Sequence, residues 1–289
     1  MTPGARTGTA GEALAEARGV LATLDHPGLD ASVLLARTLD LPRTALIARP
    51  EIPIDPAAKR RFGELVGRRA AGEPLAWLTG RREFWSFELE VDRSTLVPRP
   101  ETERLVEAVL EAVGEAVSGD EGGRVADLGT GCGAVAIAVA REAAGQPEVV
   151  ATDIDAGALE VARRNVRRLA PGRVELRRGS WCEPLEAGAY AVIASNPPYL
   201  RADDPHLLGD GVRHEPRRAL VGGRDGLAAI RAIGHGAVRC LRPGGRLLLE
   251  HGAEQGAAAR AALAAAGFER VRTLRDLGGR DRVTQGTRP

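Results

Sequence analysis

The tetrapeptide Asn196-Pro197-Pro198-Tyr199 offers the most specific chemistry in the chain, because it directly follows the apolar run Ala191–Ser195. Ligands of open α/β sheets bind beyond the carboxyl ends of the strands, so we expect this segment at a binding site. The side-chain amide oxygen of Asn196 and the backbone carbonyl of Pro197 can each accept one N–H of a substrate NH2 group. Two rigid acceptors would push a poorly nucleophilic nitrogen toward pyramidal geometry and stabilise the charge that develops on it during attack on an electrophilic carbon. Tyr199 can stack on a planar substrate group. The alternative interpretation of the tetrapeptide is a proline-rich loop that ends the strand and is capped by Asn196.

A glycine-rich turn is the second candidate site. The strand-like run Val125–Leu128 leads into Gly129-Thr130-Gly131-Cys132-Gly133, and a helical pattern follows. Glycines let the backbone approach a ligand closely, and the N-terminus of a helix offers unpaired N–H groups. Asp153 ends the next strand-like run, where a carboxylate can hold the two ribose hydroxyls of a nucleoside. The spacing fits both the loose dinucleotide-binding fingerprint and the first motif of S-adenosylmethionine (SAM) methyltransferases, so the turn predicts a nucleoside-type cofactor and no more.

Other residues carry weaker signals. Trp181 follows the third strand-like run and is either a packing residue or a wall against an adenine ring. His206 and His214 share no recognised ligand spacing, so we expect no metal site. The cysteines form no CxxC pair, which excludes zinc-ribbon and disulfide frameworks; they are Cys132, Cys182 and Cys240.

Short apolar runs alternate with helical patterns in the second half of the chain. The strand-like runs are Val125–Leu128, Val149–Thr152, Val174–Leu176, Ala191–Ala194 and Arg246–Glu250. The helical patterns are Ala134–Ala144, Ala156–Leu169, Leu227–Leu241 and Glu254–Ala266. This alternation predicts a doubly wound α/β fold with a mostly parallel sheet covered on both faces. Two tail segments, Val271–Leu274 and Arg282–Thr284, would bring the sheet to seven strands, with one antiparallel strand at its edge.

The first part of the chain has helical spacing. Apolar residues recur every three to four positions from Glu12 to about Leu78, which predicts a small all-helical domain. Asp55 before Pro56 is a good N-cap followed by a favoured first-turn proline, so we expect a helix there through Leu65. The residues before Glu12 are small and polar, and we expect no regular structure in them.

A linker joins the two parts. Partial alternation over Glu83–Val91 predicts a half-buried strand or a β-hairpin. Pro98 and Pro100 exclude a regular helix before position 101. Arg99 and Glu101 either orient a ligand or form an ion pair. We therefore expect a helical domain at 1–80, a β-hairpin linker at 81–100 and an α/β domain at 101–289.

Composition limits the class of protein. Hydrophobic residues make up 44% and charged residues 27% of the 289, which is ordinary for a globular protein. The formal net charge of +1 argues against phosphate-backbone binding as the main driving force, so we expect no stable nucleic-acid partner. No signal-peptide pattern is present, and no apolar run approaches the roughly 18–20 residues of a membrane span. We expect a cytoplasmic protein without membrane contact.

These motifs together resemble the HemK-type N5-glutamine methyltransferases that modify peptide chain release factors. The resemblance covers nearly the whole chain. Besides the glycine turn and the Asn-Pro-Pro-Tyr motif, the matching stretches are Glu73-Pro74-Leu75 through Gly80, Arg82–Trp85, Pro98–Glu103, Gly179–Trp181, Asp204–His206, Glu215-Pro216, Ala219-Leu220, Pro243–Gly245 and Leu248–Gly252. The Asn-Pro-Pro-Tyr motif alone is shared with DNA and RNA amino-methyltransferases. Its combination with the proline-rich linker and the helical domain indicates a much smaller set of families.

The resemblance implies a SAM-dependent enzyme with S-adenosyl-L-homocysteine as product and a sheet of the methyltransferase type. Asp153 would hold the ribose hydroxyls of SAM, Trp181 would lie against the adenine, and Asn196 would also contact the cofactor. The turn would surround the methionine and ribose portion with Gly129, Thr130, Gly131, Cys132 and Gly133.

The resemblance also implies the substrate. Asn196, Pro197, Pro198 and Tyr199 would bind the glutamine amide of the Gly-Gly-Gln tip of class 1 release factors, with Asn196, Pro197 and Tyr199 as the catalytic residues. The helical domain would help to dock that partner, and we expect a monomer. The residues leave three alternatives open: a DNA or RNA amino-methyltransferase, a nicotinamide oxidoreductase, and a non-catalytic protein that senses SAM or docks on the translation machinery.

Overall fold

A computed structural model describes residues 8–117 and 123–289 of the chain. The chain divides into two units. The helical unit contains the residues up to Gly80 together with Leu208–His214, and the α/β unit contains Arg81–Leu207 and Glu215–Pro289. In the described ranges, no helix is both long enough and apolar enough to cross a membrane.

The helical unit confirms the helical N-terminal region that the apolar spacing predicts, but a pair of short strands means that it is not all-helical. Its helices are α1 (Ala10–Val20), α2 (Pro27–Leu39), α3 (Arg43–Ala48), α4 (Pro56–Ala70) and α5 (Leu75–Thr79). The short strands β1 (Gly8–Thr9) and β2 (Pro53–Ile54) pair antiparallel. Leucines of α1 and α2 pack with Phe62 and Val66 of α4 in one apolar core.

Local capping explains where two of these helices begin. The Asp55 carboxylate accepts the N–H of Ala58 at 2.9 Å, and Pro56 occupies the first turn of α4, as the sequence predicts. That helix continues past Leu65 to Ala70, because Val66 and Arg69 still face the interior. The expectation of no regular structure before Glu12 is wrong from Gly8 onward, since Thr9 and Glu12 form a reciprocal capping box that starts α1. Residues 1–7 lie outside the described ranges.

A buried ion network fixes the segment Leu208–His214 within the helical unit. The Arg69 guanidinium donates to Asp30 of α2 at 2.7 Å and to Asp210 at 2.6 Å. Asp30 is only 5% exposed and Arg69 9%, so water does not replace this interaction. A buried carboxylate depends strongly on its counter-ion.

Arg69→Met is expected to lower the free energy of unfolding by about 3–5 kcal/mol, because Asp30 would remain buried without its cation. Lys59→Met is the matched control: it removes an ion pair with Glu16 in which both side chains are more than half exposed. That control should cost about 0–1 kcal/mol. Urea denaturation measures both, and equally small losses would show that Arg69 does not stabilise the buried carboxylate.

The α/β unit begins with a hairpin of β3 (Arg81–Phe84) and β4 (Phe87–Glu90). Its two turn residues, Trp85 and Ser86, have φ angles of 50° and 65°. Positive φ at both positions matches the twist of a tight two-residue hairpin. A hairpin therefore forms where the sequence left a choice between a strand and a hairpin.

A seven-stranded sheet flanked by helices forms the rest of the unit. Its strands are β5 (Arg124–Leu128), β6 (Val149–Asp153), β7 (Val174–Arg178), β8 (Tyr190–Ser195), β9 (Leu241–Glu250), β10 (Glu269–Arg275) and β11 (Asp281–Thr287). The helices are α6 (Glu103–Val117), α7 (Ala134–Glu142), α8 (Ala156–Leu169), α9 (Arg217–Leu220), α10 (Ala228–Cys240) and α11 (Gly256–Ala265). The predicted doubly wound α/β class is confirmed.

The strand order is β10-β11-β9-β8-β5-β6-β7, and the five strands from β9 to β7 run parallel. Only the position of the antiparallel strand differs from expectation. β11 runs antiparallel to both β9 and β10 and lies between them, not at the edge. Its central residues, from Arg282 to Gly286, are buried, which is typical of an interior strand and leaves the more exposed β10 at the margin.

Candidate active site

A cleft opens where the strand order reverses between β5 and β8. Ligands of doubly wound sheets bind at such a switch point, outside the carboxyl ends of the strands. The cleft has a volume of about 280 Å³. The residues predicted from the sequence that line it are Gly129, Gly131, Asp153, Trp181, Asn196 and Pro198. The fold thus brings the two motifs and the two isolated residues to one place, although they span about seventy positions.

Close backbone approach explains the glycines of the turn. Gly129 has φ +69°, and a β-carbon there would lie 3.1 Å from the ring of Trp181. Gly131 has φ +57° and faces open space, since a β-carbon would meet no atom within 4 Å. The Gly131 N–H donates to the Asp153 carboxylate at 2.9 Å and thereby joins the turn to the end of β6.

The other turn residues face the protein interior. The Thr130 hydroxyl donates to Asp127 at 2.6 Å, and burial raises the pKa of that carboxyl to about 6. Burial also raises the pKa of the Cys132 thiol to about 12, so the thiol stays protonated at neutral pH. The Cys132 carbonyl accepts a hydrogen bond from Asn165 of α8 at 2.9 Å. Thr130, Cys132 and Gly133 are not among the residues that line the cleft in the described structure, so their contact with a cofactor stays a prediction.

Asp153 keeps acceptor capacity for a ligand. One oxygen accepts the Gly131 N–H and the other accepts the Asp155 N–H at 2.9 Å, which leaves further lone pairs on both. Burial raises the pKa of this carboxyl, although the two N–H donors oppose the shift. Asp155 caps α8 and pairs with Arg218 at 2.5 Å at the cleft wall. The sequence did not single out Asp155 or Arg218. The Asp-x-Asp spacing at the end of β6 was a signal for Asp155, whereas no local pattern pointed to Arg218.

The Asn196 side chain has a defined orientation at the tip of β8. Its amide nitrogen donates to the Thr102 hydroxyl at 3.0 Å. Within the described ranges, no donor reaches the Asn196 amide oxygen or the Pro197 carbonyl. These are the two acceptors that the sequence assigned to a substrate NH2 group.

Two glycines and a glutamine contact the backbone carbonyls of Pro198 and Tyr199. The Tyr199 carbonyl accepts a hydrogen bond from the Gln255 side chain at 2.9 Å. A β-carbon at Gly222 would collide with the Pro198 carbonyl, and one at Gly226 would collide with that of Tyr199. Two backbone segments can approach this closely only where glycine stands. The carbonyls after Pro197 are therefore packed or bonded.

Two predicted residues lie outside the cleft wall. Pro197 is buried, and Tyr199 is partly buried with a hydroxyl whose pKa is raised by burial. Neither is among the cleft-lining residues of the described structure, so stacking of Tyr199 on a substrate stays a prediction. Arg99 forms an ion pair with buried Glu215 at 2.5 Å, which is one of the two alternatives left open for it.

Comparison with known proteins decides the family. The PrmC N-terminal domain family matches residues 12–80, and the methyltransferase small domain family matches residues 104–209. The release factor glutamine methyltransferase of Xylella fastidiosa is 47% identical over 90% of this chain and 93% of that protein. The chain belongs to the release factor glutamine methyltransferase family.

Relatives from other bacteria support the same membership in this family. The release factor glutamine methyltransferases of Vibrio cholerae and Pseudomonas aeruginosa are each 46% identical, over 91% and 89% of this chain and 90% and 91% of those proteins. A methyltransferase structure from Pyrococcus furiosus shares the fold, with a TM-score of 0.50 and 20% identity over 78% of this chain and 99% of that one.

The cleft residues fit a SAM molecule. Open space beside Gly131 can take a bulky ligand, Asp153 has lone pairs for a ribose diol, and the half-buried Trp181 offers an aromatic wall. The fit needs no metal, and in the described residues no cluster of three or more His, Cys, Asp or Glu side chains forms a metal site.

Gly131→Ala is expected to weaken SAM binding roughly tenfold or more, because the added methyl group would occupy ligand space and overpacking costs about 1–3 kcal/mol. Gly172→Ala is the matched control: Gly172 is exposed and has φ +73°, and a β-carbon there also meets no atom within 4 Å. Both variants should lose about 1–2 kcal/mol of stability through left-handed strain. Isothermal titration with SAM separates them, and equal affinities would place the ligand elsewhere.

Proposed function

We propose that this protein is a SAM-dependent enzyme that methylates the side-chain amide nitrogen of a protein glutamine. The substrate is the glutamine of the Gly-Gly-Gln motif in class 1 peptide chain release factors. The observation that carries the proposal is a pair of acceptors at the tip of β8 beside the cleft, the Asn196 amide oxygen and the Pro197 carbonyl, which no donor among the described residues reaches. Membership in the release factor glutamine methyltransferase family supports it.

The two acceptors would make an amide nitrogen a better nucleophile. An amide nitrogen is a poor nucleophile because its lone pair is delocalised into the carbonyl. The Asn196 amide oxygen and the Pro197 carbonyl would each accept one N–H of the substrate carboxamide and hold the nitrogen out of the amide plane. SAM, when bound, supplies a methyl group made electrophilic by the sulfonium charge. Both acceptors would then stabilise the positive charge that develops on the nitrogen. As the N–C bond forms and the S–C bond breaks, S-adenosyl-L-homocysteine would be left, and the N–H proton, made acidic by that charge, would pass to solvent. No side chain therefore has to remove a proton first.

Residues of the turn, of the end of β6 and of the segment after β7 would hold the cofactor. Asp153 would accept the ribose hydroxyls, Trp181 would pack against the adenine, and Gly129 and Gly131 would leave room for the methionine portion. We assign cofactor contact also to Asn196, which lines the same cleft. The backbone of Thr130, Cys132 and Gly133 completes the turn.

The proposal extends to the protein partner, the oligomeric state and the location of the enzyme. The helical unit, which spans most of the first 80 residues, docks the release factor. A formal net charge of +1 favours a protein substrate over a nucleic acid. We propose that the enzyme acts as a monomer in the cytoplasm.

The function is tested by incubating the purified protein with SAM and a class 1 release factor and mapping the added methyl group by peptide mass spectrometry. A mass increase of one methyl group on the glutamine of Gly-Gly-Gln is expected. Methylation found only on DNA or RNA, or on no substrate at all, would contradict the proposal.

Asn196→Ala is expected to reduce methyl transfer by about 10²–10³-fold, because one of the two acceptors for the developing charge is lost. Because Asn196 is also assigned to cofactor contact, turnover is compared at saturating SAM. The melting temperature should change little, since within the described residues the Asn196 side chain forms one hydrogen bond, to Thr102. The chain has one other asparagine, Asn165, whose buried side chain bonds to the Glu90 and Cys132 carbonyls. Asn165→Ala should therefore lower the melting temperature. An Asn196→Ala enzyme with wild-type turnover would remove Asn196 from the mechanism.

A further inference from the structure

Glu250 is a buried carboxyl that the mechanism above does not use. It is the last residue of β9 and is 0% exposed. In the pairing of β8 with β9, Ser195 lies opposite Leu249, so Glu250 comes next to the point where β8 gives way to Asn196. Neither carboxyl oxygen has a hydrogen-bond partner within the described residues. A buried polar group without a partner destabilises a fold, so its presence calls for another reason.

The groups that act on the Glu250 carboxyl include residues next to Asn196. The Thr102 hydroxyl is close enough to lower the pKa of the carboxyl, although no hydrogen bond of regular geometry joins the two. Arg282 also lowers this pKa, but its guanidinium is already paired with Asp276 at 3.2 Å. Glu101 raises the pKa, and the Tyr199 hydroxyl also faces this charge. Thr102 thus acts on Glu250, and its own oxygen accepts the Asn196 amide N–H at 3.0 Å.

We propose that Glu250 is a positioning residue that acts through Thr102 to keep the amide oxygen of Asn196, and not its NH2 group, turned toward the substrate. The inference rests on the proposed function of the same cleft. Its basis is geometric: the strand register puts buried Glu250 beside the end of β8, and the hydrogen bond from Asn196 to Thr102 fixes the tip of that strand.

The direction of the hydrogen bonds among Glu250, Thr102 and Asn196 follows from the charge on Glu250. A primary carboxamide has two ends of nearly equal size, one a donor and one an acceptor, so packing alone does not choose between them. An ionised carboxylate only accepts hydrogen bonds. The single hydroxyl proton of Thr102 would point at Glu250, and the Thr102 oxygen would then accept from the Asn196 NH2 group. The Asn196 oxygen is left facing the substrate N–H groups.

Protonation of Glu250 would remove this preference. Burial raises the pKa of the carboxyl to about 7. Once protonated, the carboxylic acid can donate to Thr102, which can then donate to the amide oxygen of Asn196. The amide would rotate and present its NH2 group to the substrate, where two donors would face each other. The carboxylate form is lost as pH falls through about 7, so turnover should fall in the same range.

The test measures kcat at saturating SAM and release factor from pH 6 to pH 9, together with melting temperature. Wild-type kcat is expected to be about tenfold lower at pH 6 than at pH 8, as a single group titrating near 7 requires. Glu250→Gln should lower kcat at pH 8 by about tenfold, since a neutral amide no longer dictates the direction of the Thr102 proton. Its kcat should then vary little between pH 6 and pH 8.

As pH rises, the stability of the wild-type protein should fall while its kcat rises. The pKa of Glu250 is higher in the folded chain than in the unfolded chain, so the native state loses stability as pH rises from about 4.5 to about 7. Glu250→Gln removes the buried charge and should raise the melting temperature at pH 8. A merely structural glutamate would lower melting temperature and kcat together when replaced, and that result would overturn the proposal.

Three further variants complete the experiment. Thr102→Ser keeps the hydroxyl and should retain wild-type kcat and pH profile, whereas Thr102→Val should lose about as much kcat as Glu250→Gln. Glu254→Gln, an exposed glutamate four residues on, is the matched control and should leave both unchanged. Wild-type kcat and pH profile in Glu250→Gln, or in Thr102→Val, would overturn the inference. Absence of methylation by the wild-type enzyme at every pH would instead contradict the proposed function.

Discussion

The proposed activity depends on two oxygen atoms, the amide oxygen of Asn196 and the carbonyl of Pro197, that no donor reaches in the part of the chain that the structure describes. Asn196 is partly buried and lines the cleft, so its amide oxygen is available to a ligand there. Here the neighbouring carbonyls are occupied: Gln255 donates to that of Tyr199, and Gly222 packs against that of Pro198. The loop is therefore rigid around the two acceptors that remain, which suits a site whose task is to hold one nitrogen in an unfavourable geometry.

The sheet order explains why this loop and the glycine turn meet. β5 and β8 are neighbours at the point where the order reverses, so the loops that follow them share one crevice. The hydrogen bond from Gly131 to Asp153 adds the end of β6 to the same crevice. The ring of Trp181 lies so close to Gly129 that a β-carbon there would be 3.1 Å from it. The backbone of the turn thus contacts both Asp153 and Trp181.

Much of this arrangement could be predicted from the sequence because its signals are local. Strand-like runs that end in Gly129 or Asn196, and the Asp55-Pro56 cap, are determined by the residues next to them. Long-range pairings carry no such signal: Thr102 meets Asn196 across 94 positions, and Arg99 meets Glu215 across 116. The place of β11 inside the sheet also depends on pairing with β9, which alternation of apolar residues cannot show. Arg69 and Asp210 illustrate the same limit, since their ion pair joins a helix to a segment 141 positions away.

The most direct measurement is a crystal structure of the protein with S-adenosyl-L-homocysteine and a short Gly-Gly-Gln peptide. The glutamine nitrogen should lie about 3 Å from both the Asn196 amide oxygen and the Pro197 carbonyl, with its free face toward the cofactor sulfur. A glutamine bound elsewhere, or a nitrogen held by other groups while these two oxygens contact only water, would contradict the central claim.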